Sequence, residues 1–454
     1  MKILGDRSAL LWLLGSVVAT CVGASALYFG PIAALALIGP VVALMVFPRH
    51  PKLGFLFWLL TVSAVPCWIG IGVAGVFAPV TTVSSFVALS CLLVGTRWEP
   101  NKADLCVSAL LVLAAFGVAF GSSSGKSSIS AFISMLTLWV AGYLVGRFVC
   151  EKAGIRFVKT SVGITFGVVG LLAIIEKLFG WHPFVGLAGM NSLAELWAPI
   201  QTRAGESRSE WAFGHSIALG GSLALAIPFL LSSGLKTRNK LVLLSLILVG
   251  VATTLSRGAM LAAGLTLILA LLTAKNLRAG QRAFLFIFAT ILGMFTAISF
   301  MAVSDEAGSE VTNSSSYRVN LLTRLIGTLA PIGRAHSYMA DASGSGQYGI
   351  YGSIDNAFMA VGLGFGWIAM ALVIFPFAVM SLRLVRGRAS FAEVALIGQL
   401  PVIATVAMIT QYQVAVWMVV GLAAALAGDT SETQEGQSAP AEPELGRVGA
   451  PVGW

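Results

Sequence analysis

Residues 241–272 read LVLLSLILVGVATTLSRGAMLAAGLTLILALL, from Leu241 to Leu272. Two apolar runs, 241–251 and 259–272, flank the polar stretch Thr253-Thr254-Leu255-Ser256 and the arginine that follows it, Arg257. Runs of this kind suit a bilayer core, which takes about 20 apolar residues per helix. An arginine in a tight connection between two membrane helices is costly unless something anionic meets it there. The stretch therefore sets two expectations at once, a membrane helix on each side and an anionic partner at the turn.

The rest of the chain repeats the apolar pattern. Its 454 residues are 57% hydrophobic and only 10% charged, with a mean hydropathy of +0.90. A soluble domain carries about 25% charged residues. The longest polar segments are 180–210, 304–352 and the stretch after Ala427, and none is large enough for a soluble domain. The expected class is all-α, a polytopic membrane protein of about 12–14 spans. One transmembrane domain is expected over 1–428, with a disordered tail over 429–454 that is rich in Glu, Ser, Pro and Gly. The first apolar run continues into residues 31–47 with no polar mature start, so 10–28 reads as a retained span and not as a cleaved signal. Cys21, Cys67, Cys91, Cys106 and Cys150 show neither metal-ligand nor disulfide spacing.

Charge alternates along the connections. Arg49 to Lys52, Arg97 with Lys102, Arg147 to Lys159, Lys236 to Lys240, Lys275 to Arg282 and Arg383 to Arg388 form one set. The segments 121–128, 180–210, 256–257 and 304–352 form the other. The positive-inside rule makes the first set cytoplasmic and the second external. Lys2 and Arg7 put the amino terminus inside, and an even number of spans returns the carboxyl terminus there. Residues 66–79, with glycines and two prolines, read as a re-entrant or broken segment, which must be shielded or line a cavity. The net charge of +9 is spread over short loops, unlike the single basic face of a nucleic-acid binder.

Against this orientation, Arg203, Arg208, Arg257, Arg318, Arg324 and Arg334 all fall on the external side. Guanidinium groups grip phosphate in a bidentate way and stay charged at any pH. A cluster of them at the outer face suits a lipid-linked pyrophosphate. The alternative is that each pairs with Glu206, Glu210, Asp305, Glu306 or Glu310. Arg257 has no acidic neighbour in sequence. His215 stands at a helix start, where a neutral imidazole can orient a hydroxyl, act as a base or serve as a structural hydrogen-bonding group. Asp355-Asn356 opens an apolar span over 357–380. Two readings of Asp355 stand side by side, a helix cap favoured by the dipole and a base for an attacking hydroxyl.

Three ordered patterns resemble the O-antigen ligase and O-antigen polymerase superfamily of bacterial membrane glycosyltransferases. They are Arg208-Ser-Glu-Trp-Ala-Phe-Gly-His215, then Thr254-Leu-Ser-Arg257-Gly-Ala259, then Tyr317-Arg318 followed by Pro331-Ile-Gly333 and Ile354-Asp355-Asn356 with Gly366. The resemblance covers roughly residues 180–370. It implies a GT-C-like fold with a large external loop before one of the last spans. It also implies transfer, without metal or other cofactor, of a glycan from a polyprenyl pyrophosphate to an acceptor hydroxyl at the outer face of the bacterial cytoplasmic membrane. Arg208 and Arg257 would hold the pyrophosphate, Arg318 would join them, and Arg203 lies in the same loop. Ligases of the family carry histidine before the asparagine; Asp355 stands there instead, which favours a polymerase-like enzyme over a ligase using a lipid or protein acceptor.

Two further classes are consistent with a polytopic chain. A transporter or flippase for an anionic lipid needs polar groups along a mid-membrane path, and here the charges sit at the span ends. A scaffold with protein partners in envelope assembly would draw on the tail and the packing glycines.

Overall fold

The computed structural model describes residues 50–73, 76–94, 96, 98–120, 132–203, 205–274, 279–287, 290, 308–340 and 346–428. The two expected spans before residue 50, the amino-terminal charges, the 429–454 tail and the Arg318 side chain lie outside the described part.

The described chain is mostly helical. In order, the helices are α1 Pro51–Ala64, α2 Val80–Leu93, α3 Lys102–Phe120, α4 Ala141–Ala153, α5 Ile155–Phe179, α6 Ser192–Trp197, α7 Ser216–Leu225, α8 Ile227–Ser232, α9 Thr237–Thr253 and α10 Arg257–Thr273. They continue with α11 Gly308–Leu325, α12 Ala357–Phe365, α13 Trp367–Val385, α14 Phe391–Gly398, α15 Leu400–Ile403 and α16 Thr410–Gly428. A π-helical stretch, Met135–Val140, leads into α4. Five described segments are long and apolar enough to cross a membrane: Lys102–Ala119, Phe132–Ala153, Ile155–Phe179, Trp367–Val385 and Thr410–Ala427. Shorter apolar helices, α1, α2 and α10 among them, pack beside these. Together they suggest a multi-pass membrane protein.

Burial ranks the helices. In α16, 78% of the 410–427 window is buried, against 17% for the corresponding window of α3, so α16 is central and α3 lies at the rim. The rim helix presents Leu105, Val112 and Phe116 outward, the apolar exposure that a lipid-facing surface needs. At the centre, α4 and α16 approach backbone to backbone: a Cβ on Gly146 would collide with the Met418 carbonyl, and one on Gly421 with that of Tyr143. Small residues at such crossings recover dispersion contacts that apolar side chains would prevent. Charged groups among the helices pair with one another. Asp104 accepts from Tyr143 at 2.5 Å and pairs with Arg147 at 3.3 Å, and Arg383 pairs with the buried Glu393 at 2.6 Å. Ser390 and Glu393 close a capping box on α14.

Three two-stranded hairpins depart from an all-α reading. Gly70–Val73 pairs with Val76–Pro79, so the glycine- and proline-bearing segment after α1 turns back as a hairpin. The others, Thr202–Arg203 with Glu206–Ser207 and Tyr338–Ala340 with Gly346–Tyr348, lie in the two long polar loops. The helix expected over 357–380 is also divided. Gly366 stands at φ +99 between α12 and α13, where a Cβ would collide with the Pro331 carbonyl. Trp367 N donates to Ala330 O at 2.9 Å, and Phe365 O accepts from Gly333 N at 3.1 Å. The 330–333 strip thus takes up backbone groups that an unbroken helix would have used internally.

Candidate functional site

The hairpin between α6 and α7 is fixed from below by two helix ends. Ser209 Oγ donates to Ala173 O of α5 at 2.8 Å, and the backbone N–H groups of Glu210 and Trp211 donate to Glu176 Oε2 at 3.0 and 2.8 Å. His182 Nδ1 lies 2.9 Å from the other oxygen of Glu176. Lys177 donates to Glu206 Oε2 and to Ser207 O, both at 2.8 Å. On the side of α9, Ser209 N donates to Thr253 O at 3.2 Å.

This docking carries two arginines to the end of α9. Arg208 Nε donates to Thr254 O at 2.9 Å, and Arg203 Nη1 donates to Leu255 O at 2.8 Å. The last carbonyls of a helix have no partner within it, and cations are favoured beside them. Arg257 follows two residues later as the first residue of α10, where Ser256 is the cap and accepts from Ala259 N at 3.3 Å. Two of the expected arginines therefore reach the turn at which the third, Arg257, stands. A guanidinium has five N–H donors, so capping a carbonyl and gripping an anion are compatible roles. The start of the 17-residue α10 adds its own partial positive charge.

The nearby carboxyls leave this turn electropositive. Lys177 occupies Glu206 and holds its carboxyl below the usual range. Burial pushes Glu210 up to about 8, with the Glu176 carboxylate adding to the rise and Arg208 opposing it. Glu210 is thus largely uncharged at neutral pH, and its Oε1 accepts from Gln201 N at 3.0 Å.

His215 lies beside the same hairpin. It caps α7, with Nδ1 accepting from Ile217 N at 3.2 Å, which leaves the ring proton on Nε2. Burial, reinforced by the Arg208 charge, pushes the imidazole down to about 4, so it is neutral. Gln201 Oε1 joins the two elements, accepting from Ser216 Oγ at 3.1 Å and from Arg208 Nη1 at 3.4 Å.

The capping reading of Asp355 passes to its neighbour. Asn356 is the cap of α12, accepting from Met359 N at 2.9 Å, while Asp355 accepts from Ser353 Oγ at 3.1 Å just outside the helix. Tyr317 is close by. Its hydroxyl donates to Ser353 O at 2.5 Å, and burial raises it, with the Asp355 charge as the next cause. Asn356 Nδ2 donates to Ala404 O at 2.8 Å. A Cβ on Gly258 would lie 3.4 Å from Thr405 Oγ1. The starts of α10 and α12, with Arg257 and Asp355, accordingly flank the same 404–405 turn. Arg334 stacks over Tyr338 at 4.0 Å in the separate hairpin of the second long loop.

Backbone strain marks the same end of the bundle. Among the described residues, Trp211, Leu255 and Thr410 are the non-glycine residues with positive φ, at 45°, 49° and 48°. Each costs about 1–2 kcal/mol in the left-handed region and persists only where surroundings enforce it, often at functional sites. Leu255 receives Arg203 and Trp211 is bound to Glu176. Thr410 precedes Gln411, whose Nε2 donates to Ala212 O at 2.7 Å and to Val65 O at 2.6 Å.

Sequence reading did not single out Glu176, His182 or Gln411 as organisers of this end. The signal for Glu176 was present, a carboxylate near the end of an otherwise apolar span. Among the described residues, no cluster of three His, Cys, Asp or Glu side chains is placed to hold a metal ion. No protein-family model, no curated protein and no solved structure matches the chain.

Proposed function

We propose that this chain is a metal-independent membrane glycan transferase of the O-antigen polymerase type. It would join a polyprenyl-pyrophosphate-linked saccharide to an acceptor hydroxyl at the outer face of the bacterial cytoplasmic membrane, with both termini cytoplasmic and a GT-C-like topology. The observation that carries this reading is that the Arg203 and Arg208 side chains reach the junction of α9 and α10 at which Arg257 stands, beside the helix start that follows Asp355.

The chemistry follows from charge. As the bond between the anomeric carbon and the pyrophosphate oxygen breaks, negative charge grows on the leaving group. Fixed guanidiniums and a helix N-terminus in a poorly solvated site stabilise that charge more than they stabilise the ground state. The acceptor oxygen forms the new bond to the anomeric carbon, and its proton passes to the Asp355 carboxylate as general base. Neutral His215, with its proton on Nε2, would act as a hydrogen-bond donor to a sugar or phosphate oxygen. Arg318 would add a further cation.

Arg257→Ala should abolish polymer formation while the protein still accumulates in the membrane. Arg257→Lys should also be poor, because an ammonium cannot reproduce the planar fork. Wild-type polymer amount and length in both variants would overturn the proposal. Lipid-linked intermediates in a deletion strain separate polymerase from ligase: single repeat units accumulate in the first case, long carrier-bound chains in the second.

A further inference from the structure

Residues 178–200 read LFGWHPFVGLAGMNSLAELWAPI, and Glu195 is the one Asp, Glu, Lys or Arg among them. The next ten positions carry Arg203, Glu206, Arg208 and Glu210, so the charge of the loop after α5 lies in its second part. We infer that 178–200 forms an apolar shelf resting on lipid, at the headgroup boundary of the leaflet at this end of the bundle. Such a contact requires a chain that spans the membrane, not one that transfers glycan.

The inner side of the segment is fixed to the protein. Gly180, at φ +59, turns the chain out of α5, and a short helical turn at Val185–Met190 packs against α6. His182 Nδ1 stands 2.9 Å from Glu176 Oε1, and Asn191 Nδ2 donates to Trp68 O at 3.0 Å. Phe184, Leu193, Ala194 and Trp197 pack with the buried Trp68. The outer side is apolar too. Leu178 and Phe179 are 72% and 77% exposed, and Trp181, Val185 and Leu196 are also exposed. A run of exposed apolar side chains of this kind marks a contact surface.

Continuity with α5 says what covers it. Along that helix Ile164, Val168 and Leu171 are exposed at spacings of four and three, which makes one stripe. Leu178 lies seven residues further along the same stripe, and Phe179 and Trp181 follow it. With 25 residues, α5 is about 38 Å long at 1.5 Å per residue, against roughly 30 Å of hydrocarbon. Its last turn therefore reaches headgroup depth, and the segment that leaves it carries the lipid-facing surface sideways. Tryptophan is enriched at that depth. The backbone is bonded within the segment, Leu187 N to Phe184 O at 3.1 Å and Glu195 N to Asn191 O at 3.0 Å among the bonds, as contact with an apolar phase demands. Lys177, one residue before the shelf, donates to Glu206 and to Ser207. The arginine hairpin is thereby held at the level of the lipid phosphates.

Fluorescence quenching on the full-length protein in phosphatidylcholine vesicles tests this. Phe179→Cys, Val185→Cys and Leu196→Cys are labelled one at a time with bimane, in a background lacking the native cysteines. Glu206→Cys, on the exposed hairpin carboxylate, is the aqueous control. Phospholipid brominated near the glycerol end of its acyl chains should quench the three shelf labels about twofold more than the control. Iodide in the buffer should quench the control more than the shelf. Val185→Cys and Leu196→Cys carry the comparison if Phe179→Cys does not accumulate. Shelf labels that answer to iodide as the control does, and not to the brominated lipid, mean a loop in water and overturn the inference. Shelf labels reached by neither quencher mean a cover of protein, such as a second copy of this chain, and overturn it equally. No glycan enters the measurement, so lost or normal polymer in Arg257→Ala leaves its outcome unchanged.

Discussion

Glu176 ties several segments of this end of the molecule together. One carboxylate accepts two consecutive backbone N–H groups and stands against His182. Glu176→Ala would leave the Glu210 and Trp211 N–H groups buried without an acceptor, at a cost of about 1–3 kcal/mol each. Its melting temperature in detergent should fall clearly. Glu206→Ala removes a pair whose carboxylate is exposed, and exposed pairs contribute little, so that variant should melt as the parent does. Equal melting of the two variants would refute the anchoring role of Glu176. Glu210 and His215 make stability depend on pH in opposite directions. The Glu210 carboxyl is raised from 4.5 to about 8, so the folded state holds a proton that the unfolded chain has lost. That contribution is complete below 4.5 and disappears as pH rises through 8. The His215 imidazole is lowered from 6.5 to about 4, so its contribution is complete above 6.5 and is lost as pH falls through 4. The slopes oppose each other between 4.5 and 6.5, and of these two groups Glu210 alone acts between 6.5 and 8. Melting temperature should therefore decline across that upper interval, and Glu210→Gln should flatten the decline. A parallel decline in the variant would show that another group is responsible.

The ends of elements explain why the arginines gather. The α9 helix stops at Thr253, and the following carbonyls, at Thr254 and Leu255, are taken by Arg208 and Arg203 from the neighbouring hairpin. Arg203→Ala and Arg208→Ala should each speed hydrogen exchange of the amides at 253–256 while leaving the middle of α9 protected. Unchanged exchange would show that the capping contacts do not hold the turn. The same logic of ends applies at Gly366. An alanine there must adopt φ near +99 and meet the Pro331 carbonyl, so Gly366→Ala should lower membrane accumulation severalfold, at a cost above the roughly 1 kcal/mol of the left-handed region alone. Normal accumulation would mean that α12 and α13 tolerate fusion. Apolar runs announced these helices, but their breaks were less legible. The glycine spacing 362, 364, 366 reads as a packing face, and only the approach of Pro331 from a distant loop turns Gly366 into a break. Likewise Asp355 and Asn356 are equivalent capping candidates by type, and the contacts to Met359 and Ala404 assign the role to Asn356. Positive charge in the polar connections disclosed Arg203, Arg208 and Arg257.

Across the whole molecule, the C-terminal ends of α5 and α9 and the N-terminal ends of α7, α10, α12 and α16 assemble at one end of the bundle. Under the proposed topology that end is external. Cysteines introduced at Ser207 and Lys236 in a background lacking the five native ones give a direct readout with a membrane-impermeant maleimide. The first should label in intact cells and the second only after permeabilisation; the reverse pattern would invert the molecule and remove the outer-leaflet chemistry. A consequence for the surrounding lipid follows from the lengths of α1 and α2. Each has 14 residues, about 21 Å at 1.5 Å per residue, against a hydrocarbon thickness of roughly 30 Å. Both turn large apolar side chains outward, Leu60 and Phe86 among them. Such hydrophobic mismatch is relieved by local thinning of the bilayer. The headgroup layer would then dip toward the protein along this flank, drawing a carrier lipid's polar end closer to the helix termini.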